Sequence, residues 1–412
     1  MSISRSAARQ AVRASGRRWL RTRADALHLQ RGRRLARVLD VDVMEGRAGD
    51  ARVRARTLVL ARDPRTPGSP PAGGGDRAAV AAGHAAGERG VLEDGTLWWW
   101  AAADPALPGL AVTEDPAALA ALLGASPGRT RLTWRGYRPR ERAVIALDAA
   151  DAAGVGPRAY LKALPPQEAE RVAAGQAAAW EAGVPVPAVL GPPVRGVLTL
   201  GRVPGLPWRA LLGGDRAGAL DPARVGELLE LFPTTPAETG RADGDGGAGD
   251  GSGESGPVDL LEHAAWAAVV LDPEIQDEAD ARADRLRAAL AAGDPGPPAP
   301  VHGDLHPGNL HVEASGERVT GIVDCDGLGV GRRVDDWATL LAHLEAAAAD
   351  LGPGGGAVRA VAERFRAHAL TRVDEVALAA RVGVVLTALS AQPAAPRAVR
   401  AAADAALDRV SR

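Results

Sequence analysis

The residues whose types and spacing can do chemistry stand in His302-Gly303-Asp304-Leu305-His306-Pro307-Gly308-Asn309-Leu310 and, fifteen positions after Asn309, in Asp324-Cys325-Asp326. A short segment held by Pro and Gly presents a carboxylate and an amide oxygen, and the run 318–323 reads as a strand that delivers Asp324. Such a set suits Mg²⁺, which takes one or two carboxylates, several waters and the substrate's own phosphates rather than a full protein cage. One carboxylate then remains to accept a proton. Phosphoryl transfer needs no more: one Asp orients and deprotonates a hydroxyl, while an Asn and a second Asp hold the metal that spans the nucleotide phosphates. The histidines open a rival reading, a metallohydrolase built on His302, Asp304, His306, His311 and Asp324, since imidazole and carboxylate are ordinary Zn²⁺ ligands. That reading leaves Asn309 unused, and His28, His84, His263, His343 and His368 supply no second ligand pair at helical spacing.

The two segments resemble the catalytic loop and metal-binding segment of the aminoglycoside phosphotransferase and choline kinase superfamily, a branch of the protein-kinase-like fold. Protein kinases write the loop H-R-D-L-x-x-x-N and its metal-binding partner D-F-G. Here Gly303 stands in place of the Arg, the Asp-to-Asn interval of five is kept, and Asp324-Cys325-Asp326 replaces D-F-G. Those departures favour a small-molecule kinase over a protein kinase. The resemblance is close from about 300 to 344 and looser from 132 to 212. It implies Asp304 as catalytic base, Asn309 and Asp324 as Mg²⁺ ligands with Asp326 as an auxiliary one, and His302 and Asp336 as supports of the site. It also implies ATP as co-substrate, a small hydroxylated acceptor and an alcohol-directed phosphotransferase activity. A catalytically silent nucleotide-binding regulator is the other class of function compatible with these residues.

Lys and Arg total 49, and Lys162 is the only lysine. A composition that uses Arg everywhere else has kept a compact, flexible ammonium at one position, where a guanidinium would be a wide planar fork. A single donor reaching nucleotide phosphates in a narrow space calls for the former. Runs 143–147 and 159–164 read as two strands around a Gly- and Asp-containing turn, with Lys162 on the second. In the family, the lysine of the third small-lobe strand binds the nucleotide phosphates and is held by a helix Glu. A helix is expected from Pro165-Pro166 to about Ala182, with Pro at its first turn. Glu170 is favoured over Glu168 as the lysine's partner, and Gln176 is a third candidate. The strand ending at Leu200, followed by Gly201-Arg202-Val203-Pro204-Gly205, resembles the hinge whose backbone binds the adenine edge, so Leu200 and Val203 join the ATP-binding set. No Gly-rich phosphate loop of the protein-kinase type is present. Gly136-Tyr137-Arg138-Pro139-Arg140 reads instead as a turn over the phosphates, with an ordinary surface turn as the alternative.

These residues need elements to position them, and the composition bounds what those are. The chain has 412 residues, long enough for two or three domains with substantial cores. A formal net charge of −2 gives no electrostatic case for nucleic acid or an anionic membrane as partner. The one cysteine, Cys325, suits a reducing compartment, and a cytoplasmic location is expected. With 3% aromatic residues the core must rely on Leu, Val and Ala. The expected fold class is α+β: a bilobal protein-kinase-like fold with a small β-rich lobe at 126–204 and a large, mainly helical lobe at 205–412. Residues 1–125 are expected to form an extra α+β domain. Its segment 1–24 is Arg-rich and free of acids, like a transit peptide, but reads better as a helix carrying Val12, Trp19 and Leu20. Strands are expected within 34–62 and at Trp98-Trp99-Trp100. The Pro/Gly stretch 64–76 reads as a loop, and 234–256, Gly-rich with scattered acids, as a disordered insert. Helices are expected at 257–292, 335–350, 356–371, 373–391 and 394–410.

Overall fold

The computed structural model describes residues 5–30, 34–46, 50–62, 88–123, 130–149, 159–233 and 256–410. The loop expected at 64–76 and the insert expected at 234–256, apart from Gly256, lie outside these residues. The chain divides into two compact units, Met1–Ala169 with Gly191–Thr199, and Glu170–Leu190 with Leu200–Arg412.

The first unit holds two sheets. Its chain runs α1 (Arg5–Ala14), β1 (Arg18–Gln30), β2 (Arg34–Glu45), β3 (Arg52–Arg62), β4 (Arg89–Val91), β5 (Leu97–Trp100), α2 (Pro116–Leu123), β6 (Thr130–Arg138), β7 (Arg142–Ala149) and β8 (Ala159–Ala163). After α3 (Pro166–Glu181), β9 (Val197–Gly201) completes the second sheet. The N-terminal sheet has the order β1-β2-β3-β5-β4, and every neighbouring pair is antiparallel. α1 buries Ala7, Ala8, Ala11 and Val12 and contacts β1 and β3. It is shorter than the expected helix. Gly16 takes φ 74°, and Arg17 N–H returns to the Val12 carbonyl, a left-handed helix stop that only glycine adopts without strain. Trp19 and Leu20 therefore belong to β1. Trp98, Trp99 and Trp100 are all buried, as core rather than as a stacking surface. Trp99 packs with Ala36, Val59 and Ala61 against Tyr137 of β6, so the N-terminal sheet and the β6-β7-β8-β9 sheet share apolar contact.

The second unit is mainly helical, as expected of the large lobe. Past α3 it contains β10 (Leu206–Pro207), α4 (Pro222–Glu230), α5 (Pro257–Leu271), α6 (Gln276–Ala292), β11 (Pro298–Val301), β12 (Leu310–Val312), β13 (Val319–Ile322), β14 (Gly329–Arg332), α7 (Arg333–Asp350), α8 (Gly356–Ala369), α9 (Glu375–Ser390) and α10 (Arg397–Val410). The single helix expected at 257–292 is two. Asp272 adopts an extended conformation and caps Glu274 N–H, and Pro273 cannot supply the hydrogen bond that would continue α5. The last four helices fall where expected. Trp208, Trp337 and Phe365 pack ring to ring in this unit's core, which also holds Leu340, Leu341 and Leu386. No helix among the described residues is long and apolar enough to cross a membrane.

Candidate functional site

Two short antiparallel pairs carry the catalytic segments. β11 pairs antiparallel with β14, Val301 opposite Gly329, so the loop beginning at His302 leaves one strand beside the residue at which the other begins, and α7 follows from the far end of β14. Asp336, in the first turn of α7 and only 1% exposed, accepts the backbone N–H of His302 at Oδ2 (2.9 Å) and of Gly303 at Oδ1 (2.9 Å). Burial raises its carboxyl above the ordinary value, while His302, the two backbone donors and Arg333 oppose the rise. Gly303 has φ 85°, a left-handed conformation that explains why glycine stands where a protein kinase has Arg. His302 is fully buried. Its Nδ1 accepts from Asp304 N–H (3.2 Å), which leaves the ring proton on Nε2 to donate to the Val323 carbonyl (3.1 Å). One imidazole thus couples the backbone of Asp304 to the residue that precedes Asp324.

The β12–β13 hairpin does the rest. Its last pair, Leu310↔Ile322, is extended by a hydrogen bond from Val323 N–H to the Asn309 carbonyl (2.9 Å), so Asn309 and Asp324 emerge at the same end. The Asn309 side chain is buried, and its Nδ2 donates to the Asp304 carbonyl (2.9 Å), which turns Oδ1 into the available ligand atom. Asp324 adopts φ 61° and ψ 51°, the left-handed region, at a cost of about 1–2 kcal/mol for a residue with a Cβ. Backbone held in this region is the kind that clusters at active sites and ligand clamps. Asp326 follows in a 3₁₀ turn, where its carbonyl accepts from Arg171 of α3 (2.9 Å). Two glycines are required by close approach. A Cβ at Gly308 would stand 2.7 Å from Cε1 of His306, and one at Gly321 would stand 2.6 Å from Cβ of Val203. Val203, expected near the adenine edge, is thus packed over the strand that leads to Asp324.

His306 and His343 form a contact that sequence spacing could not reveal. Their rings stack at 4.5 Å, and His306 Nε2 lies 4.0 Å from Asp304 Oδ2. Burial lowers both imidazoles, His306 with some support for its charge from Asp304, and His343 to about 4 through burial and then the neighbouring His306. A base whose folded value lies below its unfolded value binds fewer protons when folded. The stability it contributes is therefore complete above about 6.5 and is lost as pH falls towards about 4. Wild-type protein is expected to lose stability through the stacked His306–His343 pair across that window. Urea unfolding at pH 7 and pH 4.5 should show a smaller loss in His343→Gln, and an equal loss would exclude His343 as the titrating group.

Lys162 sits on β8 opposite Val144 of β7 and is 4% exposed. Among the residues weighed as its partner, Glu170 is exposed and Gln176 is buried with its amide donating to the Pro187 carbonyl (2.6 Å). Glu168 is half-buried in the first turn of α3, in the same unit as Lys162. The preference for Glu170 is thus not supported by its place on the helix: the helical phase turns position 170 to solvent and 169 and 172 to the core. Leu200 is buried and bridges to Val189. The expected turn at 136–140 lies later than its glycine suggests. β6 continues through a bulge at Trp134/Gly136 to Arg138, and the reversal falls at Pro139–Glu141 with Arg140 at φ 65°.

The donor set fits Mg²⁺ better than Zn²⁺. Asn309 Oδ1 and the Asp324 carboxylate are hard oxygen donors at the end of one hairpin, of the type Mg²⁺ takes, whereas both nitrogens of His302 are occupied by hydrogen bonds. Among the described residues no group of three or more His, Cys, Asp or Glu is arranged to hold a metal ion.

The profile of the phosphotransferase enzyme family, APH, matches residues 152–367, more than half of the chain. No curated protein sequence matches it. Solved structures similar to this one include aminoglycoside phosphotransferase APH(3'')-Id from Streptomyces rimosus (17% identity, 66% of this chain and 98% of that one, TM-score 0.43). A choline/ethanolamine kinase family protein from Mesorhizobium loti is similar at 18% identity (73% and 93%, TM-score 0.44). A macrolide 2'-phosphotransferase from Brachybacterium faecium is similar at 21% identity (70% and 96%, TM-score 0.36). With its matched segment spanning Lys162, the 302–310 loop and the acidic cluster, the α+β chain belongs to the phosphotransferase enzyme family.

Proposed function

We propose that this protein transfers the γ-phosphoryl group of ATP to a hydroxyl of a small molecule, with Asp304 as base and Asn309 and Asp324 as the Mg²⁺ ligands. The observation that carries the reading is the lock between the two catalytic segments. His302 and Asn309 together tie the backbone of Asp304 to the end of the hairpin that bears Asp324. Catalysis of phosphoryl transfer is almost entirely positioning and electrostatics, so such rigidity is what the reaction asks of the protein. Asp304, 41% exposed at its side chain, meets the acceptor hydroxyl in this reading and takes its proton, and its exposure beside a backbone held by hydrogen bonds supports that role. Mg²⁺, when bound, neutralises charge on the transferring group. Asp326 follows the metal ligand closely enough to serve as an auxiliary one.

Lys162 supplies a further positive charge to the nucleotide phosphates, and Glu168 is assigned as its partner in place of Glu170. A buried ammonium is tolerated only when it is compensated. Glu168 is the half-buried acid six positions on, at the start of the helix that follows the lysine strand. Leu200 and Val203 supply the backbone and apolar surface for the adenine. Neighbouring structures in the fold carry ADP with streptomycin in one case and GDP in another, which makes a nucleotide co-substrate and a small polar acceptor the natural starting panel.

The test is acceptor-dependent conversion of ATP to ADP with Mg²⁺, run against aminoglycosides, macrolides, choline, other amino alcohols and sugars. One acceptor is expected to raise ADP release well above its absence. Tight Mg·ATP binding with no turnover on any acceptor would favour the silent regulator instead.

A further inference from the structure

The turn between β6 and β7 is held by residues far away in sequence. Asp104, 2% exposed, accepts at Oδ2 from the Tyr137 hydroxyl (2.7 Å) and from Arg140 N–H (2.8 Å), and at Oδ1 from Ala106 N–H (2.9 Å). The Tyr137 oxygen in turn accepts from Trp99 Nε1 (3.1 Å) on β5 of the N-terminal sheet. Gln30, at the end of β1 and 6% exposed, donates its amide to the Pro139 carbonyl. Three of the four positions from 137 to 140 are therefore fastened by Gln30, Trp99 and Asp104, all of them in the segment N-terminal to the β6–β9 sheet. The arrangement has an energetic cost. Burial raises the Asp104 carboxyl above its ordinary value against the pull of its donors, and the Tyr137 phenol is pushed well above its own. A buried carboxylate that could have been replaced by apolar packing is a poor source of stability and a good way to select one geometry.

That geometry matters because the sequence has no Gly-rich loop of the protein-kinase type to wrap nucleotide phosphates, and Arg140 itself is bent into the left-handed region at φ 65°. We propose that Asp104 is a positioning residue for nucleotide binding. Together with Tyr137 and Gln30 it clamps the β6–β7 turn in the conformation that meets the phosphates, and the N-terminal sheet is the scaffold of that clamp. The proposal rests on the kinase reading given above, and its test separates the two.

Full-length Asp104→Asn and Tyr137→Phe proteins are compared with wild type for binding of Mg·ATP by calorimetry and of adenosine by ligand-detected NMR. Leu39→Ala, a buried position on β2 away from the turn, serves as the destabilised control. Loss of a charge-assisted hydrogen bond at the turn is expected to weaken Mg·ATP about tenfold, with adenosine unchanged because it has no phosphate to meet the turn. Leu39→Ala should lower the melting temperature without altering the ratio of the two affinities. An unchanged ratio in Tyr137→Phe, the milder variant that keeps the fold, would overturn the proposal, as would an equal change in Leu39→Ala. Wild-type protein that fails to bind Mg·ATP would sink the kinase reading itself, whereas normal wild-type binding with unaffected variants sinks only the clamp.

Discussion

Asp304→Asn is expected to lose about a thousandfold in turnover, the usual worth of a positioned general base, while its affinity for Mg·ATP changes little. The substitution is isosteric. It also leaves intact the bonds that hold the loop, because they run through the backbone N–H and carbonyl of residue 304 to His302 and Asn309. Acceptor-dependent ADP release at saturating ATP, with calorimetric Mg·ATP affinity beside it, reads the two properties separately. Turnover within tenfold of wild type would remove Asp304 from the role of base. Asp324→Asn is the complementary variant, since it should lose Mg²⁺-dependent nucleotide affinity on the order of a hundredfold, at the upper end of what disturbing a metal site costs. Asp324→Gly should lose the same affinity yet be no less stable than wild type, because glycine relieves the left-handed strain at φ 61°.

Lys162→Arg is expected to cost about a hundredfold in turnover although the charge is conserved, because a planar guanidinium cannot occupy the narrow buried position of an ammonium on β8. Lys162→Met keeps the apolar stem and the fold while deleting the charge, so its loss of turnover at near-normal melting temperature would assign the effect to electrostatics rather than to packing. Glu168→Gln should follow Lys162→Met in direction, with a smaller effect. Glu170→Gln, at an exposed position, should behave as wild type. Steady-state rates for the four variants decide the matter. A wild-type rate in Lys162→Arg would make the lone lysine an accident of composition, and a larger effect in Glu170→Gln than in Glu168→Gln would reinstate Glu170 as the partner.

Much of the architecture was legible from local pattern. Helices of 14 to 18 residues at the C-terminal end fall where apolar periodicity and flanking Pro and Gly mark them, because an amphipathic stripe is a property of neighbouring residues. The departures also have local causes that were misjudged. Gly16 stops α1 before Trp19, Pro273 divides the helix expected at 257–292, and a bulge carries β6 past Gly136.

By itself the sequence determined that a carboxylate, an amide and a second acidic cluster stand at fixed spacing, which resembles that of a phosphoryl-transfer site, and that one position alone kept a lysine. Spacing along the chain is enough for this, since the loop and hairpin are short and their geometry is set by Pro, Gly and strand alternation. The resemblance already implied Asp336 as a support, but only the tertiary structure decided how it acts, on the backbone of His302 and Gly303, and that His343 stacks on His306 and Asp104 holds the turn after β6. Each of these contacts spans more than thirty positions. No periodicity encodes such a distance. It exists only once packing has brought the elements together, and burial then gives each carboxylate and imidazole its altered affinity for protons.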